Sequence, residues 1–228
     1  MIAEPLKVTF TFLSPVVMDS EYPIYLDALL AFAVVQEAEE KHAVNAWLHG
    51  EELPLEKAGE GQDWVFKASR LVFTPAAHRE LVNMQRRSSP EAFYRDFDLG
   101  LWGYPGSSKA KTPPVINTMS GQFRAYQYYV STQWMEKACA WCIGNRERIT
   151  ELLARLTHIG KMGRNGWGLL ESFTVEVDEE AKTKWALRVL PKTLDVTQPG
   201  VTYAPVMSPP RAPYWDKLAR VEMLEPVL

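Results

Sequence analysis

The residues with the clearest chemical potential lie between positions 158 and 168. Four glycines fall in nine positions, Gly160-Lys161-Met162-Gly163-Arg164-Asn165-Gly166-Trp167-Gly168. Glycine lets a backbone take left-handed turns and approach a ligand closely. Lys161 and Arg164 supply cations that match phosphates, Asn165 supplies an amide and Trp167 an indole. This set suits a sugar–phosphate chain; it also suits a tight turn with incidental charges. Element order excludes a dinucleotide fingerprint, which needs a strand before the glycines and a helix after them. Here helical spacing precedes the loop and strand-like alternation follows it. No GxxxxGK[ST] sequence occurs.

A second set surrounds Arg124, with Phe123, Tyr126, Tyr128 and Tyr129 beside it. Arginine and aromatic side chains on a protruding hairpin hold phosphates and stack on bases. An aromatic strand packed on the core fits equally well. Arg86, Arg87, Lys109 and Lys111 add cations to the same stretch. Cys139 and Cys142 lie three apart in an expected strand, so they point to opposite faces and read as core residues, not a redox pair. Two cysteines cannot form a four-thiolate zinc site within the chain. His158 precedes the glycine loop and could act as general acid or base in metal-independent RNA cleavage. A lone histidine in the last turn of a helix is more often a capping or packing residue. His42, His49 and His78 form no close pair or HExxH motif. We therefore expect no catalytic residue, no metal and no cofactor.

Charge is segregated along the chain. The net value is −3, yet residues 1–78 carry 5 basic and 12 acidic side chains, −7. Residues 79–168 carry 13 basic and 7 acidic, +6, and residues 169–228 carry 7 basic and 9 acidic, −2. A basic middle suggests a localised polyanion contact, or an ordinary fluctuation of surface charge. At 228 residues, 46% hydrophobic and 23% charged, the chain is expected to fold as a globular protein without staples. No apolar run is long enough for a membrane span, and the N-terminus lacks a signal-peptide pattern, so a cytoplasmic protein is expected.

Several elements must position these residues. Leu6, Val8, Phe10 and Phe12 alternate with polar residues and predict a strand. Apolar positions from Leu26 to Ala38 predict a helix over about 25–42. Weaker markers suggest a strand from Trp64 to Phe73 and a hairpin joining Val115–Thr118 to Gln122–Val130. Lys137–Ile143 reads as a strand, Gly144-Asn145 as a turn and cap, and Ile149 to Ile159 as a helix face stopped by Gly160. Phe173, Val175 and Val177 alternate, as do residues 184–190, so two strands follow. The segment 191–228 holds 7 of the 16 prolines and is expected to be an extended tail with a helical turn near Tyr214–Val221. Two split βαβ halves around a long insertion give an α+β, ferredoxin-like (RRM-like) plan.

On these residues the sequence resembles the RAMP superfamily of CRISPR proteins. The likeness rests on Gly144-Asn145, Leu152-Leu153, His158-Ile159-Gly160-Lys161 and Gly166-Trp167-Gly168-Leu169 in order. Pro23-Ile24-Tyr25-Leu26-Asp27-Ala28-Leu29-Leu30-Ala31 and Pro213-Tyr214-Trp215 are similar to the Cas-five-like subunit of type IV (Csf) effector complexes. The resemblance implies a ferredoxin-like domain over 1–190, an insertion at about 75–132 with a thumb hairpin (candidate residues 108–131), and a Pro-rich extension over 191–228. It implies a non-catalytic subunit that grips the 5′ repeat-derived handle of a crRNA and caps a filament of backbone RAMP subunits beside a large subunit. Target DNA near the thumb or PAM end and a DinG-like helicase are further implied partners. Lys161, Arg164 and Asn165 match the loop positions expected near RNA, with Gly160, Gly163, Gly166, Trp167, Arg124, Tyr126, Arg86, Arg87, Lys109 and Lys111 as accompanying candidates. The alternative is a metal-independent RAMP endoribonuclease that processes precursor crRNA, using His158 and Lys161. The acidic run Glu37–Lys41 departs from a basic RNA binder and is expected to face solvent or protein.

Overall fold

A computed structural model of the chain describes residues 3–17, 23–61, 63–87, 89–101, 116–194 and 196–227. The candidate cations Lys109 and Lys111 lie outside the described residues. In chain order the elements are β1 (Glu4–Phe12), β2 (Val16–Val17), α1 (Leu26–Glu40), β3 (Lys57–Glu60), β4 (Asp63–Phe66), β5 (Val72–Arg86) and α2 (Pro90–Asp98). Then come β6 (Tyr126–Gly144), α3 (Arg146–Leu153), β7 (Leu170–Val177), α4 (Ala181–Lys184), β8 (Leu190–Pro191), β9 (Tyr203–Ser208) and β10 (Val221–Pro226). The chain divides into two compact units, residues 1–79 with 133–228, and residues 80–132.

The first unit is built on an antiparallel sheet, and the fold is mixed α and β. β1 pairs antiparallel with β6, Val8 opposite Ala140, and with β7, Val8 opposite Val175. β6 also pairs with β2 and β5. Alternation along β1 sends Leu6, Val8 and Phe10 into one core. There they meet Leu26, Leu30, Ala33 and Val34 of α1 and Ile149, Leu152 and Leu153 of α3. Full burial of each such leucine or isoleucine contributes about 1.5–3 kcal/mol. Asn145 caps α3 by accepting from the Arg148 N–H at 2.8 Å. Cys142 lies in this core and Cys139 in a separate cluster with Trp141 and Leu187, so the pair does face opposite ways. Burial pushes the Cys142 thiol up to about 12, and it stays a protonated core side chain.

Several elements differ from the sequence reading. The helix after Asn145 ends at Leu153; Leu156 and Ile159 are buried by loop packing, so they mimic a longer helix face. Gly160 therefore does not stop that helix. The 64–73 segment splits into the second strand of a β3–β4 hairpin and the start of β5. Residues 116–120 form no strand, and the stretch after Tyr126 pairs with β5. Residues 185–189 turn between α4 and β8 instead of alternating as a strand, and all of them are buried, Arg188 included. The segment after Leu190 folds back as a three-stranded sheet, β8-β10-β9, over a second core that includes Tyr25, Val65, Trp185 and Met223.

Arg188 is fully buried and closes that second core. Its guanidinium donates to the Asp27 carboxylate at 3.1 Å, to the carbonyls of Phe66 (2.7 Å), Ala68 (3.1 Å) and Pro210 (2.9 Å), and to the Tyr214 hydroxyl at 2.5 Å. The Tyr214 hydroxyl in turn donates to Asp27 at 2.8 Å, and its ring stacks on Tyr25 with centroids 4.3 Å apart. Burial holds the Tyr214 phenol well above its ordinary range. The acidic end of α1 is tied to the α3 segment: Glu37 pairs with Lys41 at 2.9 Å and with Arg148, and Glu40 pairs with Arg155.

Two outcomes follow from these contacts. Asp27→Ala leaves the Arg188 charge buried and unpaired and is expected to cost about 3–5 kcal/mol. The double replacement Asp27→Leu with Arg188→Met removes the unpaired charge but strands the Phe66, Ala68 and Pro210 carbonyls and the Tyr214 hydroxyl, so it is expected to stay destabilised relative to the parent. Urea unfolding measures both, and an Asp27→Ala chain as stable as the parent refutes the account. Hydrogen bonds from Lys41 and Arg148 lower the Glu37 carboxyl to about 2, below the unfolded glutamate value of about 4.3. Its contribution to stability is therefore present above pH ~4.3 and lost as pH falls toward 2. The stability gap between parent and Glu37→Gln should narrow across that window; a gap independent of pH contradicts it.

Candidate nucleic-acid interface

Loop 157–170 is a closed turn pinned at its base. His158 bridges Leu169, the Ile159 N–H donates to the Gly168 carbonyl at 2.9 Å, and the Leu170 N–H donates to Thr157 at 2.9 Å. The loop also docks on the segment between β1 and β2. Gly168 N–H donates to the Pro15 carbonyl, Lys161 N–H to that of Val17, both at 2.8 Å, and Leu169 N–H to the Ser14 hydroxyl at 2.9 Å. Ser14 was legible only as a strand stop beside Pro15. Its role as an anchor depends on a partner 155 residues away.

Packing accounts for most of the glycines. A Cβ at Gly168 would lie 1.9 Å from the Ile159 carbonyl oxygen, and one at Gly160 would lie 2.7 Å from that of Val17. Both have positive φ, +69° and +98°. A Cβ at Gly163 would meet the His158 side chain at 3.0 Å. Gly166 differs: its φ is +86°, but a Cβ there would meet nothing within 4 Å. The close backbone approaches of Gly160 and Gly168 are thus made to the protein itself. The exposed tip is a single 3-10 turn, Gly163–Asn165, entered through Met162 at φ +63°. From this tip Lys161, Arg164 and Asn165 reach solvent, and Trp167 is half-buried. The loop is a rigid mount for two cations and an amide, with the acidic residues of the chain elsewhere in sequence.

His158 is not in a helix. It is half-buried, with Nδ1 2.9 Å from the Thr157 hydroxyl and its ring beside Gly163. Among the described residues no group of three or more His, Cys, Asp or Glu could hold a metal ion.

The second unit carries the other candidates. Arg124, Tyr126, Tyr128 and Tyr129 are exposed, so the aromatic run is not a core strand. The Tyr126 and Tyr128 rings lie 5.5 Å apart and tilted, side by side on one face of β6. Phe123 packs edge-on against Phe93 of α2 at 4.8 Å. Arg87 is exposed and Arg86 half-buried. Within the first unit, the sheet face opposite the core shows hydroxyls, Thr11 bonded to Ser172 at 2.8 Å with Thr9 and Thr174 beside them. Trp141 is buried under Lys184, whose ammonium lies 4.7 Å from the ring, and its indole N–H donates to Asp178 at 3.3 Å. Trp134 of β6, in contrast, is exposed.

Gly168→Ala is expected to prevent normal folding, whereas Gly166→Ala should cost only about 1–2 kcal/mol, the penalty of a left-handed residue. Thermal melts of the two variants separate a packing glycine from an open one. Equal losses would show that the loop is not pinned at Ile159.

A protein-family model described as CRISPR type IV associated protein Csf3 matches residues 4–226. No curated protein matches the chain.

Proposed function

The chain belongs to the Csf3 family of CRISPR type IV associated proteins, and we propose that it serves in the type IV effector complex as a non-catalytic subunit that grips the 5′ repeat-derived handle of crRNA. The observation that carries this reading is the pinned loop with Lys161, Arg164 and Asn165 exposed at its tip. A rigid mount lowers the entropy lost when cations order around phosphates. Lysine and arginine there fix the backbone of an RNA without reading its sequence. The exposed Tyr126–Tyr128 pair and Arg124 supply the stacking and charge that a single strand would use on the second unit, which we assign as the thumb. The sheet order β2-β6-β1-β7, with β5 also paired to β6, α1 after β1 and α3 after β6, supports a ferredoxin-like RAMP plan.

In this reading the subunit caps a filament of backbone subunits beside a large subunit, with target DNA and a DinG-like helicase as partners of the assembled particle. It cuts no RNA itself. His158 bonds its neighbour Thr157, and its ring packs on the loop backbone, which suits a positioning role in the loop.

Handle RNA titrated at several salt concentrations tests the reading. Replacing Lys161 and Arg164 together by alanine should weaken binding and flatten the salt dependence by about 1.4 log units per log unit of salt, two phosphate contacts at ~0.7 each for a single strand. Unchanged affinity and slope would remove the loop from the interface. Cleavage of repeat RNA in EDTA, lost in His158→Ala, would replace this reading with the nuclease one.

A further inference from the structure

α1 is apolar on nearly every side. Leu26, Leu30, Ala31, Ala33, Val34 and Ala38 are buried, yet Phe32 on the opposite side stands 54% exposed. A helix apolar all round is ordinarily covered all round. Beside it packs the 3-10 turn Ala46–Glu51, where a Cβ on Gly50 would lie 3.6 Å from the Val35 side chain and 4.0 Å from that of Ala31. This turn and the bend before it hold Val44, Trp47 and Leu48 at 86%, 70% and 55% exposure. Four large apolar side chains thus stand uncovered on two packed elements of the first unit. Exposed large apolar side chains gathered on neighbouring elements and rimmed by polar residues mark interaction sites.

The charge around the patch selects the occupant. The last turn of α1 holds Glu37, Glu39 and Glu40 and no basic residue, where the helix dipole already places negative charge. Arg148 and Arg155 pair with Glu37 and Glu40, but the Glu40 side chain remains 68% exposed and Glu39 is exposed beside it. Glu51 and Glu52 close the turn, paired with Arg211 and His49 and both exposed. Among the described residues five carboxylates here, Glu37, Glu39, Glu40, Glu51 and Glu52, stand with four cations, Lys41, Arg148, Arg155 and Arg211, and this acidic excess disfavours a phosphate backbone. We infer that the outer side of α1 with the Ala46–Glu51 turn is a protein-docking face, and that its occupant is another protein subunit of the effector complex presenting apolar side chains rimmed by lysine or arginine. Trp47 and Leu48 are the anchors and the carboxylates set orientation. This face is separate from the glycine loop, and the inference rests on the family assignment and not on RNA binding.

The test uses the full chain in the assembled complex. A photoreactive benzoylphenylalanine at Trp47 should crosslink to a different protein subunit, at a segment with lysine or arginine beside apolar residues. A crosslink to nucleic acid, to a second copy of this chain or to nothing overturns the inference. In parallel, Trp47→Ser with Leu48→Ser should weaken assembly about tenfold or more, the scale of losing two interface anchors. Glu39→Lys with Glu40→Lys should weaken it less, in a salt-dependent way. Both variants should leave handle-RNA affinity of the isolated chain unchanged. Assembly unaffected by both pairs, or handle-RNA affinity lost in either, overturns the inference, whereas the Lys161 and Arg164 replacements test the RNA reading separately.

Discussion

The buried charge of Arg188 constrains more of this chain than any other group described here. Moving a guanidinium and a carboxylate out of water costs several kcal/mol per ion, and that cost is offset only where every donor finds an acceptor. The acceptors come from three distant stretches: Asp27 at the start of α1, the Phe66 and Ala68 carbonyls after β4, and Pro210 with Tyr214 near the C-terminus. A shift of any one stretch by a residue would strand a charge. The network therefore specifies register more than it adds strength. Its consequence is that the proline-rich end of the chain is a packed sheet edge over a second core, where composition alone suggested a free extension.

The glycine loop shows how packing and chemistry divide one motif. Gly160 and Gly168 are required because the loop crosses the segment between β1 and β2 with its backbone in contact. Those glycines position the loop against the Val17 and Ile159 carbonyls. What remains for chemistry is the tip, and its chemistry is cationic. Rigid presentation also explains why a nine-residue loop needs no helix dipole behind it. The hydrogen bonds to Pro15, Val17 and Ser14 do the ordering before any ligand arrives.

Much of the architecture was legible where periodicity was strong. Leu6 to Phe12 alternates cleanly and forms β1, and the apolar run from Leu26 forms α1. Leu156 and Ile159 misled because burial by a closed loop produces the same spacing as a helix face. β5 was hard to see because residues 72–86 include Pro75 and show little alternation; most of the strand is exposed, so its pairing with β6 holds it extended. That hidden strand is why the aromatic run 126–129 was matched to the wrong partner. Arg188 was invisible for a different reason. A charged residue in an alternating stretch reads as solvent-facing, and only the convergence of Asp27, two carbonyls and Tyr214 reverses that expectation.

The segregation of charge along the sequence becomes intelligible once surfaces are compared. The cations of the glycine tip, Arg124 and Arg87 stand exposed. The excess carboxylates of the first 78 residues gather in part at the end of α1 and in the Ala46–Glu51 turn, next to uncovered apolar side chains. A chain with net charge −3 can thus carry local cationic sites in each unit beside a local acidic one. In the proposed role, with RNA on one side and protein neighbours on another, repulsion at the acidic site would have a use beyond solubility. It would keep a long, non-specific phosphate chain from occupying the apolar face that a protein must reach. Specificity then comes from what each surface rejects as much as from what it attracts.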